Sequence, residues 1–439
     1  MAFLLRRCSK LSLRNAFMNT HSDSAARLRI LPSTSCMFDE AVEIKLSGLT
    51  PQQHVQLQSN LRDDKGVVFK ATATYQADEK GEVDVSRHPS LGGTYTGVEP
   101  MGLFWSMRPD VPHSKVVKRD ASSPVHYHIE ASSGGEVLAK ETNERHFTCP
   151  GVRRAPVREG RIRGTLFTPP GEGTFPGIID LYTLGGGICE PRAALLASEG
   201  FVVLALAYYG YQDLPKKVKK FDLKYFEEAI AFLQRLPEVQ RNGIGVLSLS
   251  KGAELALSMA SFLANISAIV CINGCNANVL IPLHYKDMVI PPLTFSAKNL
   301  DTTKPGILDV RDVLDDPMAK ENLATVIPIE RASCRLLFVV SEDDRNWNSA
   351  YYAEQACNRL KEHGRTNYEV VSYPKAGHFL EVPYMPHHPS GIHPAVGKEV
   401  AFGGEPKVHA DAQVDAWRRV QEFFRKHLQG LSGPLKSSL

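Results

Sequence analysis

The chain lacks paired-cysteine spacing. Its eight cysteines, at 8, 36, 149, 189, 271, 275, 334 and 357, are scattered without a C-x-x-C, which fits reduced thiols better than a disulfide framework or a zinc site. It lacks any run of about 18 apolar residues, the length a bilayer-spanning helix needs, so no stable membrane insertion is expected. It has almost no net charge: 51 basic against 48 acidic residues leave +3. That is too little for its size to make nucleic acid or a charged membrane surface the main partner. No G-x-G-x-x-G is present, which excludes the dinucleotide-binding fingerprint. There is no internal repeat, and 33 Gly with 28 Pro in 439 residues are far from collagen-like or low-complexity levels.

What is there is an ordinary globular composition, 43% hydrophobic and 23% charged, over two to four times the usual domain length of about 100 to 200 residues. Two domains, or one large domain with an addition, are therefore expected. Residues 1–21 stand apart: Arg6, Arg7, Lys10 and Arg14 occur with several Ser and Leu, and the first acid is Asp23. This is the composition of a mitochondrial transit peptide, assigned to 1–28, with a location in the mitochondrial matrix. At the other end Ser437-Ser438-Leu439 is similar to a peroxisomal Ser-Lys-Leu address without its central base; peroxisome and cytosol are the alternatives.

Residues 29–150 read as strands. Short alternating stretches such as Ala41-Val-Glu-Ile-Lys-Leu46, Val67-Val-Phe-Lys-Ala-Thr-Ala-Thr-Tyr75 and Pro124-Val-His-Tyr-His-Ile-Glu130 are separated by turn clusters at Asp78-Glu-Lys-Gly81 and Ser132-Ser-Gly-Gly135. The expectation is an all-β, immunoglobulin-like sandwich with a structural or substrate-shaping role. A basic connector at 153–158 follows, and then 160–430 alternates strands with helices. Phe201-Val-Val-Leu-Ala-Leu-Ala207 is a continuous apolar strand, and Asp222 caps a helix stopped by Pro237. Repeated βα units imply an α/β domain with a doubly wound, mostly parallel sheet. The Pro-rich, irregular stretch 276–325 suits a cap or lid.

The chemistry concentrates at strand ends. Gly245-Val-Leu-Ser-Leu-Ser-Lys-Gly252 carries a strand through a tight turn into a helix. Small residues on both sides of a serine let such a strained turn close and expose the hydroxyl. Ser250, flanked by Ser248 and Gly252, is the candidate nucleophile; Ser248, with Val246 on one side, suits the turn less well. The backbone N–H of Lys251 would face an oxyanion at the helix start. A serine hydroxyl needs a His base, and the base needs a carboxylate to hold its tautomer. The strand at 335–340 runs into Ser341-Glu-Asp-Asp-Arg-Asn-Trp347 and offers Glu342, Asp343 or Asp344. The strand at 368–373 runs into Pro374-Lys-Ala-Gly-His378, making His378 the base candidate ahead of His387, His388, His393 and His409. A second oxyanion amide is expected in the glycine-rich loop Asp180-Leu-Tyr-Thr-Leu-Gly-Gly-Gly187, at Leu184 or Gly185. Cys189, just beyond, reads as a buried inert thiol.

The blocks Ser250-Lys-Gly-Ala-Glu-Leu-Ala-Leu-Ser-Met-Ala-Ser261, Ile272-Asn-Gly274, Asp343-Asp-Arg-Asn-Trp347, Ala376-Gly-His378, Gly403-Gly-Glu-Pro406 and Ala412-Gln-Val-Asp-Ala-Trp417 resemble the type I acyl-CoA thioesterases. That family also contains bile acid-CoA:amino acid N-acyltransferases. The resemblance runs from about residue 33 to 428 and implies a β-sandwich followed by an α/β-hydrolase domain. It implies a triad of Ser250, Asp344 (rather than Asp343) and His378. The acyltransferase members carry Cys at the nucleophile, so Ser250 favours hydrolysis of fatty acyl-CoA to free acid and coenzyme A, without metal or organic cofactor. Lys216, Lys217, Lys219 and Lys220 are candidates for receiving the CoA phosphates. The chain departs from the resemblance at Ser248, where thioesterase relatives commonly have Gly, and in the Tyr182-Thr-Leu wording of the glycine-rich loop. The alternatives are amino acid N-acylation with glycine or taurine, and a carboxylesterase acting on oxyesters. A monomer is the favoured state.

Overall fold

The computed structural model describes residues 26–296 and 306–428 and the backbone course of 301–304. The basic segment 1–21 and the Ser437-Ser438-Leu439 tripeptide, on which both targeting expectations rest, lie outside the described residues. Two compact units divide the chain. One runs to Pro150 and takes in Pro383–His387; the other comprises Gly151–Val382 and the chain from His388 onward.

The first unit is a β-sandwich with one short helix, Gly102–Trp105, where the sequence suggested strands alone. Arg27–Leu31, Glu43–Ser47 and Val83–Asp84 form a three-stranded sheet. The larger sheet follows the order Ser35–Met37, Glu136–His146, Val125–Ser133, His54–Arg62, Val68–Gln76 and Gly92–Gly93, with Arg108–Pro109 also paired to Val68–Gln76. Pairing is antiparallel except at Ser35–Met37. Strict alternation drives it: His54–Arg62 buries Val55, Leu57, Ser59 and Leu61, and its neighbour buries Phe69, Ala71, Ala73 and Tyr75. With a side-chain period of two, one face of each strand enters the core. Inside that core lies Arg145, fully buried, whose guanidinium donates to the carbonyl of Phe38 at 2.8 Å, to the carbonyl of Glu40 and to Asn143 Oδ1 at 3.1 Å, against the Phe104 ring at 4.9 Å.

The second unit is built on an eight-stranded sheet: β1 Arg153–Glu159, β2 Ile162–Thr168, β3 Phe175–Leu181, β4 Val202–Ala207, β5 Val239–Leu249, β6 Ile266–Ile272, β7 Arg335–Ser341 and β8 Tyr368–Tyr373. The spatial order is β1-β2-β4-β3-β5-β6-β7-β8. β2 is antiparallel to both neighbours, and every pairing from β4 to β8 is parallel. With helices α1 Pro191–Ser198, α2 Leu223–Arg235, α3 Lys251–Phe262, α4 Ser349–Glu362 and α5 Pro406–Leu428, this is the α/β-hydrolase arrangement. β3 and β4 are buried at every residue, as expected for parallel strands covered on both faces. The Asp222 side chain caps α2 by accepting from the Lys224 amide at 3.0 Å.

The supposed connector at 153–158 is instead β1. It pairs antiparallel with β2, and its basic, largely exposed side chains hid a strand that edges the sheet. β2 left no separate signal. In the stretch 276–325, a hairpin of Leu283–Tyr285 and Met288–Ile290 pairs with Phe221–Asp222, and a 3-10 helix spans Lys320–Thr325. Among the described residues no helix is long and apolar enough to cross a membrane, and no group of His, Cys, Asp and Glu is placed to hold a metal ion.

Candidate active site

β5 delivers its chain into α3 through Ser250, which holds φ 59° and ψ −125°. That is a strained conformation for a residue with a Cβ. The strain is bearable because the turn is fixed on both sides: Ser250 N–H donates to Ile272 O at 2.9 Å, and its own carbonyl accepts from Ala253 N–H at 2.9 Å. Gly252 is required by close approach. A Cβ there would lie 2.4 Å from Tyr182 O and 2.7 Å from Leu181 O, so the loop after β3 passes against the start of α3. Ser248 takes no part in the turn, since its buried hydroxyl donates to Val270 O on β6 at 2.6 Å.

Three side chains remote in sequence meet at this turn. His378 Nε2 lies 2.9 Å from Ser250 Oγ, and His378 Nδ1 lies 2.7 Å from Asp344 Oδ2. All three are buried, His378 and Asp344 to 1% exposure and Ser250 to 5%. Asp344 follows β7 and has further partners: Oδ1 accepts from the amides of Asn346 at 2.9 Å and Trp347 at 3.3 Å, and Oδ2 accepts from Ser349 Oγ at 2.5 Å. A carboxylate with this many donors holds one orientation and presents a fixed lone pair to the imidazole. The neighbouring acids face elsewhere: Asp343 accepts from Arg345 Nε at 2.7 Å and the Gly404 amide at 2.9 Å, and Glu342 accepts from Ser372 Oγ at 2.6 Å.

Residues that left no chemical signature in the sequence hold this arrangement. Asn273, at the end of β6, donates from Nδ2 to Ser341 Oγ at 3.0 Å and to the His378 carbonyl at 2.7 Å, and its own carbonyl accepts from Trp347 Nε1 at 2.9 Å. It ties the ends of β6 and β7 to the loop of His378. The Asn-Gly pair at 273–274 was visible as a block, but not its partners, which are 68 to 105 residues away. Burial above all lowers the pKa of His393 to about 4.

The glycine-rich loop is anchored rather than loose. Tyr208 Oη donates to the carbonyls of Tyr182 at 2.8 Å and Thr183 at 2.7 Å, and the Gly187 amide donates to Tyr209 O at 2.9 Å. The Gly185 amide contacts Thr183 Oγ1 at 3.3 Å. Below the loop Arg192 donates to the Asp180 carboxylate, both side chains being buried, and Tyr182 Oη donates to Glu381. Burial pushes the Asp180 carboxyl up while Arg192 opposes it. Lys251, next to Ser250, has a buried ammonium that donates to Glu254 and to Val279 O at 2.7 Å. Lys216, Lys217, Lys219 and Lys220 are exposed in the segment before Phe221. Cys189 is half-buried rather than buried.

Two family models match the chain: "Acyl-CoA thioester hydrolase/BAAT N-terminal region" over residues 39–159 and "BAAT / Acyl-CoA thioester hydrolase C terminal" over residues 221–430. Among curated proteins, Acyl-coenzyme A thioesterase 2, mitochondrial, of Homo sapiens is 48% identical over 94% of this chain and 87% of its own length. Acyl-coenzyme A thioesterase 1 of Mus musculus is 49% identical over 92% of this chain and 97% of its own length. Among solved structures, the acylaminoacyl peptidase of Pyrococcus horikoshii aligns with a TM-score of 0.44 at 13% identity over 91% of this chain, which spans 61% of that peptidase's length. Identity near one half extends over the sequence of both units and nearly the whole length of the curated relatives: the chain belongs to the acyl-CoA thioester hydrolase/BAAT family.

Proposed function

We propose that the protein is a serine thioesterase that hydrolyses fatty acyl-CoA to free fatty acid and coenzyme A, with Ser250 as nucleophile, His378 as base and Asp344 as the carboxylate that orients it. The observation that carries this reading is the continuous chain from Ser250 Oγ to His378 Nε2 at 2.9 Å and from His378 Nδ1 to Asp344 at 2.7 Å. Nδ1 donates to Asp344, so bare Nε2 receives the Ser250 proton as Oγ attacks the thioester carbonyl. The resulting oxyanion is held by the amide of Lys251 and an amide at Leu184 or Gly185. The closeness of the Leu181 and Tyr182 carbonyls to Gly252 supports the loop's part in this. As the tetrahedral intermediate collapses, the C–S bond breaks and His378 returns its proton to the departing CoA thiolate. Water, deprotonated by the same imidazole, then cleaves the acyl-serine, and the Ser250 hydroxyl is restored.

Hydrolysis is favoured over amino acid conjugation by the leaving-group chemistry. An acyl-serine is an oxyester, less reactive to amines than the thioester an acyl-cysteine would be. The test is a panel of acyl-CoAs of graded chain length, with and without millimolar glycine or taurine, followed by CoA release and by mass spectrometry of the acyl product. The expected result is one free acid per CoA. Substantial N-acylglycine or N-acyltaurine from the unmutated protein would put conjugation first, and oxyester turnover without CoA release would put the carboxylesterase first. For location, the acid-free basic segment 1–21 supports mitochondrial import, alongside a relative that is named mitochondrial. A reporter fused to the first 35 or so residues is expected to enter mitochondria, and to stay out when Arg6, Arg7, Lys10 and Arg14 are Gln.

A further inference from the structure

His378 sits on an irregular loop, not on a strand or helix, yet its imidazole must meet Ser250 within a few tenths of an ångström. Its side chain is oriented by Asp344; its backbone has to be fixed by something else. Four hydrogen bonds do this. His378 N–H donates to Phe402 O at 2.8 Å, and the His378 carbonyl accepts from Asn273 Nδ2 at 2.7 Å. The other two come from one imidazole: the Gly377 amide donates to His409 Nδ1 at 3.0 Å, and His409 Nε2 donates to Phe379 O at 3.0 Å. His409 lies on α5, is 2% exposed, and grips the residues immediately before and after the base.

We propose, on the reading of His378 as the base, that His409 is a positioning residue for it, acting as a two-pronged clamp in the neutral, Nε2-protonated form. The chemistry leaves one arrangement. A backbone amide can only donate and a carbonyl can only accept, so Nδ1 must be bare and Nε2 must carry the proton. A cationic imidazole has no acceptor for Gly377, and Lys or Arg has none either. Only a neutral imidazole or a carboxamide offers one donor and one acceptor on one rigid group. The loop cannot relax to compensate, because Gly377 passes so close to the next loop that a Cβ would lie 2.3 Å from Gly403 O and 2.7 Å from Phe402 O. The helix carrying the clamp is itself moored to the base loop and its strand, through Tyr373 Oη donating to Asp415 at 2.8 Å and Lys375 pairing with Glu405 at 3.0 Å. The clamp holds the base through the main chain of its two neighbours, so its loss should impair proton transfer more than substrate binding.

The test uses the full chain with His409→Phe, which keeps the ring but neither nitrogen, and His409→Gln, which restores one donor and one acceptor. Palmitoyl-CoA turnover, the rate of fluorophosphonate labelling at Ser250 and the melting curve are measured for each. His409→Phe is expected to lower kcat about 10- to 100-fold with KM within about twofold, and to slow labelling by the same factor. His409→Gln should recover most of both. A folded His409→Phe that keeps turnover and labelling within about twofold of wild type, or a folded His409→Gln as impaired as Phe, overturns the proposal. Should the Phe variant not fold, ¹⁵N-histidine NMR of the wild type decides: a bare Nδ1 and protonated Nε2 on His409 supports the clamp, and a protonated Nδ1 overturns it. A wild type that releases CoA from no acyl-CoA yet labels at Ser250 would defeat the thioesterase reading, and the labelling rates would still test the clamp.

Discussion

The two units bury polar groups for different ends. In the sandwich, Arg145 is sealed in the core with main-chain carbonyls and an amide oxygen as its partners, and the Tyr75 and Tyr95 hydroxyls bond each other at 2.8 Å. These groups join strands of one sheet or neighbouring loops. In the hydrolase unit Ser250, Asp344 and His378 lie just past the C-terminal ends of parallel strands and bond one another across long stretches of sequence, while Lys251 and Glu254 form a buried pair within the first turn of α3. The difference follows from the sheets. An antiparallel sandwich closes its hydrogen bonding within the sheet and needs polar groups only to satisfy stray carbonyls. A parallel sheet ends in a row of loops that converge from distant segments, and there polar side chains can be brought together to react.

The largest expected effect tests the reactive half of this contrast. Ser250→Ala should abolish fluorophosphonate labelling and cut CoA release by several orders of magnitude, about 10⁴-fold or more, with no loss of melting temperature. Ser248→Ala, whose hydroxyl only serves Val270 O, should keep labelling. Next, Asp344→Asn should cost on the order of 10⁴ in kcat with the fold intact, by disturbing the His378 tautomer. Asp343→Asn should be milder, since Asp343 serves Arg345 and Gly404; equal losses at both positions would remove the distinction between them.

In the sandwich the expectation reverses. Arg145→Met should lower unfolding free energy by about 3 kcal/mol, because the Phe38 and Glu40 carbonyls lose a charged donor in the core. Activity per folded molecule should be unchanged, and the loss should not vary with pH, since the partners do not titrate. Urea unfolding at pH 5 and pH 8 measures it, and a fall in kcat of the folded fraction would break the contrast.

The smallest effect concerns Glu254 in the hydrolase unit. Burial first raises its carboxyl to about 7, against the pull of Lys251 and the Val279 amide. A folded-state pKa raised above the ordinary carboxyl value of 4.5 means the folded protein holds that proton more tightly. The stability it contributes is complete below about 4.5 and is lost as pH rises through about 7. Glu254→Gln should therefore flatten the fall in urea midpoint between pH 5 and pH 8 relative to wild type, where Arg145→Met leaves that fall unchanged. An identical pH slope in wild type and Glu254→Gln would show that Glu254 does not titrate in this window.

How much was legible differs between the units for the same reason. Alternation in Val68–Gln76 and the continuous apolar run of Val202–Ala207 declared both sheet types locally, and Asp222 with Pro237 bounded a helix. β1 escaped because an edge strand exposes most of its side chains and carries no apolar pattern. At the site, the strand-turn-helix around Ser250 and the position of His378 after a strand were readable, because strained turns demand small neighbours in sequence. Between Glu342, Asp343 and Asp344 the local pattern offered no choice; family resemblance chose Asp344, and the 2.7 Å contact in the structure lies at the same residue.

The sequence by itself determined what depends on neighbours along the chain: strand period, helix caps, the small residues of the serine turn, and the order of serine, acid and histidine. Only the tertiary structure decided which groups share a hydrogen bond. His409 and Asn273 look in the sequence like a helix histidine and a turn asparagine, yet they grip the loop of His378 from 30 to 105 residues away. A hydrogen bond is set by a few tenths of an ångström and a direction, and chain-local propensities carry no record of either once the partners lie on different strands.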